Sequence, residues 1–222
     1  MEILHRNDLT LGGFAGLREH RLIVDPRVGW RNPGSWPGIG SCVYLADAIF
    51  QPHGETTMHP HREIDIISFI VGGRIAHDGT LGAGTILNTF DVQVQRGGAK
   101  GFVHNEINPD GEENRMLQMW VLPEKAGEET GYATFHPPEG ATTRVYGGDG
   151  ADGQVYASHT EVEVLRPTAG DTVRLEGPLL AYLALGAGAA GDEQLREGDL
   201  VRSDGLEFTA ASDCFVISVS GR

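Results

Sequence analysis

The stretch His59-Pro60-His61-Arg62-Glu63-Ile64-Asp65-Ile66-Ile67-Ser68-Phe69-Ile70-Val71-Gly72-Gly73 carries both the fold and the chemistry of this chain. From Ile64 to Val71 it is dense in β-branched and apolar side chains, which pack well on a pleated surface, and Gly72-Gly73 ends it in a turn. It reads as a buried strand. The same texture recurs on either side. Ser41 to Phe50, Met116 to Leu122, Leu179 to Leu185 and Cys214 to Val219 are further strands, and 32 glycines and 11 prolines punctuate the chain. No long amphipathic helix is expected, and Gly191 to Glu197 has room for no more than a helical turn. The chain reads as all-β.

At 222 residues there is length for one large β domain or two small ones. Strand periodicity fades from Pro123 to Gly153, among Pro123, Pro137, Pro138 and Gly147-Gly148-Asp149-Gly150. This stretch is expected to be the crossing between two domains, with the boundary near residue 135. Residues 1–135 then hold most of the histidines, and residues 136–222 hold few potential ligands.

A net charge of −14 excludes direct nucleic-acid binding, because phosphate contact needs a basic surface. It disfavours an anionic membrane for the same reason, and no apolar run approaches the ~20 residues of a span. The opening residues Met1-Glu2-Ile3-Leu4-His5-Arg6-Asn7-Asp8 lack the basic and apolar regions of a signal peptide. The expectation is a cytoplasmic protein. Cys42 and Cys214 allow one long-range disulfide, but two free buried thiols is the simpler expectation.

His59-Pro60-His61 is the strongest local signal. On an extended segment residues i and i+2 point to the same face, so two imidazoles converge, and Pro60 stiffens the segment between them. His104-Asn105-Glu106 repeats the spacing 45 residues further on and adds a carboxylate. An isolated His-x-His is most often only polar; two such pairs separated by a few short strands favour a shared ion. If the two segments face each other in a barrel, His59, His61, His104 and Glu106 meet at one divalent metal, and a six-coordinate ion keeps positions open for water, dioxygen or substrate. Mixed imidazole and carboxylate sites of this kind support oxygen chemistry.

Other signals are weaker. Gly186-Ala187-Gly188-Ala189-Ala190-Gly191 spells a dinucleotide fingerprint, but too little chain follows for a βαβ unit, so a hairpin loop is expected. Asp65 shares strand parity with His61 and either orients an imidazole or is solvated. His53, His77, His136 and His159 have no paired ligand nearby and are expected on the surface or in loops. No arrangement suggests a serine or cysteine nucleophile.

Taken with Phe69-Ile70-Val71-Gly72-Gly73, Ile75-Ala76-His77-Asp78, Phe90-Asp91-Val92-Gln93 and Gln118-Met119-Trp120-Val121-Leu122-Pro123-Glu124, these motifs resemble the pirin family of the cupin superfamily over roughly residues 50 to 125. The resemblance implies a bicupin: two antiparallel, jelly-roll-like β-barrels packed face to face, with one metal in the N-terminal barrel and none in the C-terminal one. It assigns His59, His61, His104 and Glu106 as ligands. It implies Fe(II) foremost, with Zn, Ni, Mn and Cu as other ions such a site accepts. The chain departs from the family pattern in four places. Asp65 stands where Glu is usual, and Asn105 where Ser is usual. Gln95 and Arg96 replace Met and a small hydroxyl residue. The turn Gly98-Ala99-Lys100-Gly101 is one residue longer.

Two functions follow from the resemblance. One is a quercetinase-type dioxygenase acting on a small, flavonol-like aromatic substrate, with Glu106 as ligand and catalytic base and with Phe69, Phe102 and Trp120 as pocket wall or barrel core. The other is a non-enzymatic, redox-sensitive metal module acting through a protein partner. Metal-assisted hydrolysis is the least favoured reading, since His59-Pro60-His61-Arg62-Glu63 lacks the His-x-His-x-Asp-His pattern.

Overall fold

The computed structural model describes residues 1–150 and 156–221. Almost every described element is a strand; among the described residues the helical pieces are the 3-10 turns Arg6–Asp8 and Pro26–Val28. No helix is long and apolar enough to cross a membrane. The chain divides into two compact units, Leu9–His136 and Met1–Asp8 with Pro137–Arg222.

The first unit is built from two antiparallel sheets. The larger runs, in spatial order, Gly131–Phe135, Val92–Arg96, Asp65–Gly72, Asn114–Val121, Cys42–Phe50, Leu17–Val24 and Leu11–Phe14. The smaller runs His59–His61, Phe102–Ile107, Arg74–Gly79 and Thr85–Asn88. The Gly72-Gly73 turn is where the chain crosses from one sheet to the other. Gly73 has φ +77°, and a Cβ there would sit 2.7 Å from that of Asn114, so only glycine fits.

One end of the space between the sheets is filled by Phe50, Ile70, Met116 and Leu17 from the large sheet and Ile75 and Leu87 from the small one. Moving along the same strands by steps of two, the inward positions turn polar: Ser68, Gln118 and Tyr44 on the large sheet, facing His104 and Glu106 on the small one. The apolar end anchors the sandwich, and the polar side chains gather at the other.

The second unit is a single antiparallel sheet in the order Thr142–Gly148, Ser158–Leu165, Phe215–Gly221, Thr172–Leu185, Asp199–Ala210, Ala187–Ala190, Glu193–Arg196. Leu165, Leu183, Val201, Phe208 and Val216 are part of its apolar core. The N-terminal strand Glu2–His5 joins it by pairing with Asp199–Ala210, and His5 Nδ1 lies 2.6 Å from Asp199 Oδ1. Residues 1–8 therefore sit with the C-terminal part of the chain, a return that a boundary drawn along the sequence does not reveal.

Two expectations are corrected. Gly191 to Glu197 is not a helical turn: Gly191, at φ +61°, closes a hairpin between Ala187–Ala190 and Glu193–Arg196. The glycine run before it is hairpin as expected. Gly188 lies against the Phe208 ring, where a Cβ would come within 2.4 Å. The stretch Pro123 to Gly153, whose residues from 151 lie outside the described ones, is more than a crossing. It contains Gly131–Phe135, which closes one edge of the first unit by pairing with Val92–Arg96, and Thr142–Gly148 of the second. Cys42 and Cys214 are both free and buried, and burial pushes the Cys42 thiol up to about 12.

Candidate metal centre

His59–His61 is a three-residue strand at the edge of the small sheet, flanked by Thr57 and Glu63 at φ +64° and +52°. A β-branched residue rarely takes a positive φ. Here the bend at Thr57 turns its carbonyl toward His59, whose Nδ1 lies 2.8 Å away. Antiparallel pairing with Phe102–Ile107 sets His59 opposite His104 and His61 opposite Phe102.

That register brings three imidazoles together. His104 Nε2 lies 3.0 Å from His59 Nε2 and 3.1 Å from His61 Nε2. A carbonyl only accepts, so His59 Nδ1 carries its proton and its Nε2 presents a bare lone pair. His104 Nδ1 donates to Gln95 Oε1 at 2.8 Å, which leaves its Nε2 bare as well. Burial, reinforced by the neighbouring imidazoles, pushes His61 down to about 4 and His104 down to about 2, so both rings are neutral at pH 7. The His59 and His104 lone pairs, aimed at one another without an intervening proton, repel, and a cation between them removes the repulsion. The spacing suits one: two bonds of ~2.1 Å at a right angle end about 3.0 Å apart. The donor set therefore fits a divalent metal ion of the kind imidazole favours.

Among the described residues, His59, His61 and His104 are the one group of three or more such side chains close enough to share an ion. Glu106, two residues after His104 on the same face, is not in that group. Its carboxylate is fully buried. Oε1 accepts from Ser68 Oγ at 2.7 Å and Gln93 Nε2 at 3.2 Å, and Oε2 accepts from Gln118 Nε2 at 2.8 Å. Burial raises its pKa to about 7 against the opposing pull of these three donors. Oε2 keeps a lone pair for a metal or a proton.

A cavity of about 530 Å³ opens beside the cluster, bordered by His59, His61 and Glu106 on one side and by Tyr44, Trp30 and Trp120 on another. Its size is in the range of small-molecule sites. The Tyr44 and Trp120 rings lie 4.5 Å apart, centroid to centroid, and Arg21 sits 5.1 Å over the Trp30 ring. Trp120 Nε1 donates to Gln118 Oε1, which orients the Gln118 amide toward Glu106.

The other residues singled out from the sequence fall elsewhere. Phe69 is fully buried and belongs to the core, because Ser68 takes the inward face beside it. Phe102 packs 5.3 Å from both His61 and His104. Asp65 is not solvated: it is fully buried and accepts from the Gly97 N–H at 3.0 Å, fixing the turn that leads into Phe102–Ile107. His53 and His136 are exposed, and His159 is exposed on a strand. His77 corrects its expectation. It is 1% exposed, on the strand Arg74–Gly79, with its ring 5.5 Å from that of His104. Ile75, two residues earlier and fully buried, carried the parity signal that could have shown this.

Sequence reasoning named Gln95 only as a departure from the family pattern and did not pick out Gln93, Ser68 and Gln118 as site residues. Polar side chains at alternate positions of an otherwise apolar strand, as in Val92-Gln93-Val94-Gln95, were the available signal.

Comparison with known proteins agrees with this architecture. The Pirin family model matches residues 40–121. A provisionally named quercetin 2,3-dioxygenase of Pasteurella multocida is 32% identical over 178 residues, covering 75% of this chain and 72% of its own. A similarly named protein of Pseudomonas aeruginosa is 30% identical over 174 residues, with 72% and 75% covered. The crystal structure of bacterial pirin YhhW from Escherichia coli in complex with nickel(II) superposes with a TM-score of 0.84 at 16% identity, covering 98% of this chain and 97% of that one, a likeness of fold. By its sequence similarity, the chain belongs to the pirin family.

Proposed function

We propose that this protein is a metal-dependent dioxygenase, with Fe(II) as its working ion, that opens the heterocycle of a flavonol-like aromatic substrate. The observation that carries the reading is the convergence of three imidazoles, with a buried carboxylate beside them, at the edge of one aromatic-walled cavity. A purely structural site would be closed on all sides by protein. The names of the Pasteurella and Pseudomonas relatives support the substrate class.

A divalent ion held by His59, His61 and His104 would supply Lewis acidity toward a bound substrate oxygen and a point at which substrate and dioxygen are brought together. Nickel(II) is the first alternative, from the Escherichia coli pirin. Glu106 is the proposed fourth ligand and the base. In the metal-free protein burial raises its pKa to about 7, and Oε2 is the oxygen with a lone pair left for the metal or for a substrate hydroxyl proton. Ser68, Gln93 and Gln118 hold the carboxylate still while it gains or loses that proton. Tyr44 and Trp120, in ring contact with each other, give a planar substrate an aromatic wall to lie against.

The test is anaerobic reconstitution with iron, followed by oxygen uptake on adding quercetin, with His61→Ala as control. Rapid uptake that disappears in the variant is expected. A fully loaded protein that consumes no oxygen with quercetin or related flavonols would overturn the dioxygenase reading. A His61→Ala protein that keeps its full metal content would overturn the ligand set.

A further inference from the structure

Two buried polar atoms near the cluster have no hydrogen-bond partner: His77 Nε2 and Gln95 Nε2. Buried groups of this kind are rare enough to require an explanation. Each is what the other lacks. His77 Nδ1 lies 3.2 Å from the Gly82 carbonyl, which only accepts, so the His77 proton sits on Nδ1 and Nε2 is a lone pair. Gln95 Nε2 is an amide donor, and Gln95 and His77 already lie close enough to interact. The other end of the same amide, Gln95 Oε1, accepts from His104 Nδ1.

We propose that Gln95 and His77 are positioning residues that set which nitrogen of His104 is available to a metal. The inference rests on the reading of His59, His61 and His104 as ligands. The logic runs from a fixed point. The Gly82 carbonyl fixes the tautomer of His77. The bare Nε2 of His77 can only receive a proton donor, so it favours the Gln95 amide with its amino group toward His77 and its oxygen toward His104. That oxygen draws the His104 proton to Nδ1 and leaves Nε2 bare. With the amide turned over, its amino group would face His104 Nδ1, and the proton would move to Nε2, into the space shared with His59 and His61. The orientation of one amide thus decides whether His104 can ligate. Gly82 is held for this role: it has φ +66°, and a Cβ there would come 2.3 Å from the Tyr132 ring.

The test uses Co(II), whose visible bands report coordination, and measures its affinity by competition with a chelator. Gln95→Met keeps length and removes both polar ends. His77→Phe leaves all three ligands and Gln95 in place. Gln95→Glu restores an acceptor for His104 Nδ1. Loss of an outer partner of a ligating histidine typically weakens metal binding about 10–100-fold. We expect a loss of that size and altered bands for Gln95→Met, about tenfold for His77→Phe, and recovery of most of the affinity in Gln95→Glu. Unfolding of the metal-free proteins in EDTA reports any general damage separately. Native affinity and unchanged bands in both Gln95→Met and His77→Phe would overturn the relay while leaving the ligands standing. A native protein that takes up no Co(II) would overturn the metal site itself, and the relay with it.

Discussion

Glu106→Gln is expected to make the metal-free protein more stable at pH 8. An acid whose folded pKa is raised contributes stability below its unfolded pKa and loses it as pH rises through the folded value. Burial takes Glu106 from 4.5 to about 7. At about 1.4 kcal/mol per unit, the ionised carboxylate costs the fold ~3 kcal/mol at pH 8. Glutamine has the same shape and keeps an acceptor for Ser68 and Gln93. Its amino group would face the Gln118 amino group, so Gln118 turns over and gives up the 3.1 Å bond from Trp120. That loss is about 1 kcal/mol, leaving a net gain of ~2 kcal/mol. At pH 5 the folded group is protonated, the penalty falls to about 1 kcal/mol or less, and the two proteins converge. The assay is urea unfolding in EDTA at both pH values, followed by tryptophan fluorescence. Trp30, Trp36 and Trp120 all lie in Leu9–His136, so the signal reports that unit. A variant no more stable than native at pH 8, or a gain equal at pH 5 and pH 8, would refute the reasoning.

Three other outcomes are expected. Phe50→Ala empties the fully buried apolar end of the first unit and should cost about 3–5 kcal/mol in the same unfolding assay. Arg115→Ala removes the two-pronged partner of Asp47, which is 2% exposed, and should cost ~3–5 kcal/mol, whereas the double variant Arg115→Leu, Asp47→Leu should recover most of it. Trp120→Leu removes the ring in contact with Tyr44 and should raise KM for a flavonol several-fold, with metal content unchanged by elemental analysis.

The strand pattern was legible because burial enforces it. Ile64 to Val71 matches the observed Asp65–Gly72 to within a residue, since that strand is buried along nearly its whole length. The two His-x pairs were legible for a related reason: period two places His59 with His61 and His104 with Glu106 whatever the rest of the chain does. What holds them was not. Gln95 reaches His104 from a strand in the other sheet, and Ser68, Gln93 and Gln118 meet at Glu106 from three strands. These meetings depend on how the two sheets lie across one another, which no local spacing encodes. Asp65 shows the limit from the other side: it shares parity with His61 in sequence, but on its own strand it falls on the face opposite Ser68, where it accepts from a backbone N–H in a distant turn.

The strand His59–His61 lies at a sheet edge, is three residues long, and has at its centre a proline with no N–H to give. Short edges of this sort open at a small fraction of the global unfolding energy. Two of the three imidazoles ride on it, while the third stands on Phe102–Ile107, paired on both sides. A captured ion can therefore leave by fraying of one margin, with the barrel intact. Its residence time should follow the lifetime of that margin, and trace chelators should strip it at a rate that mild denaturant leaves almost untouched.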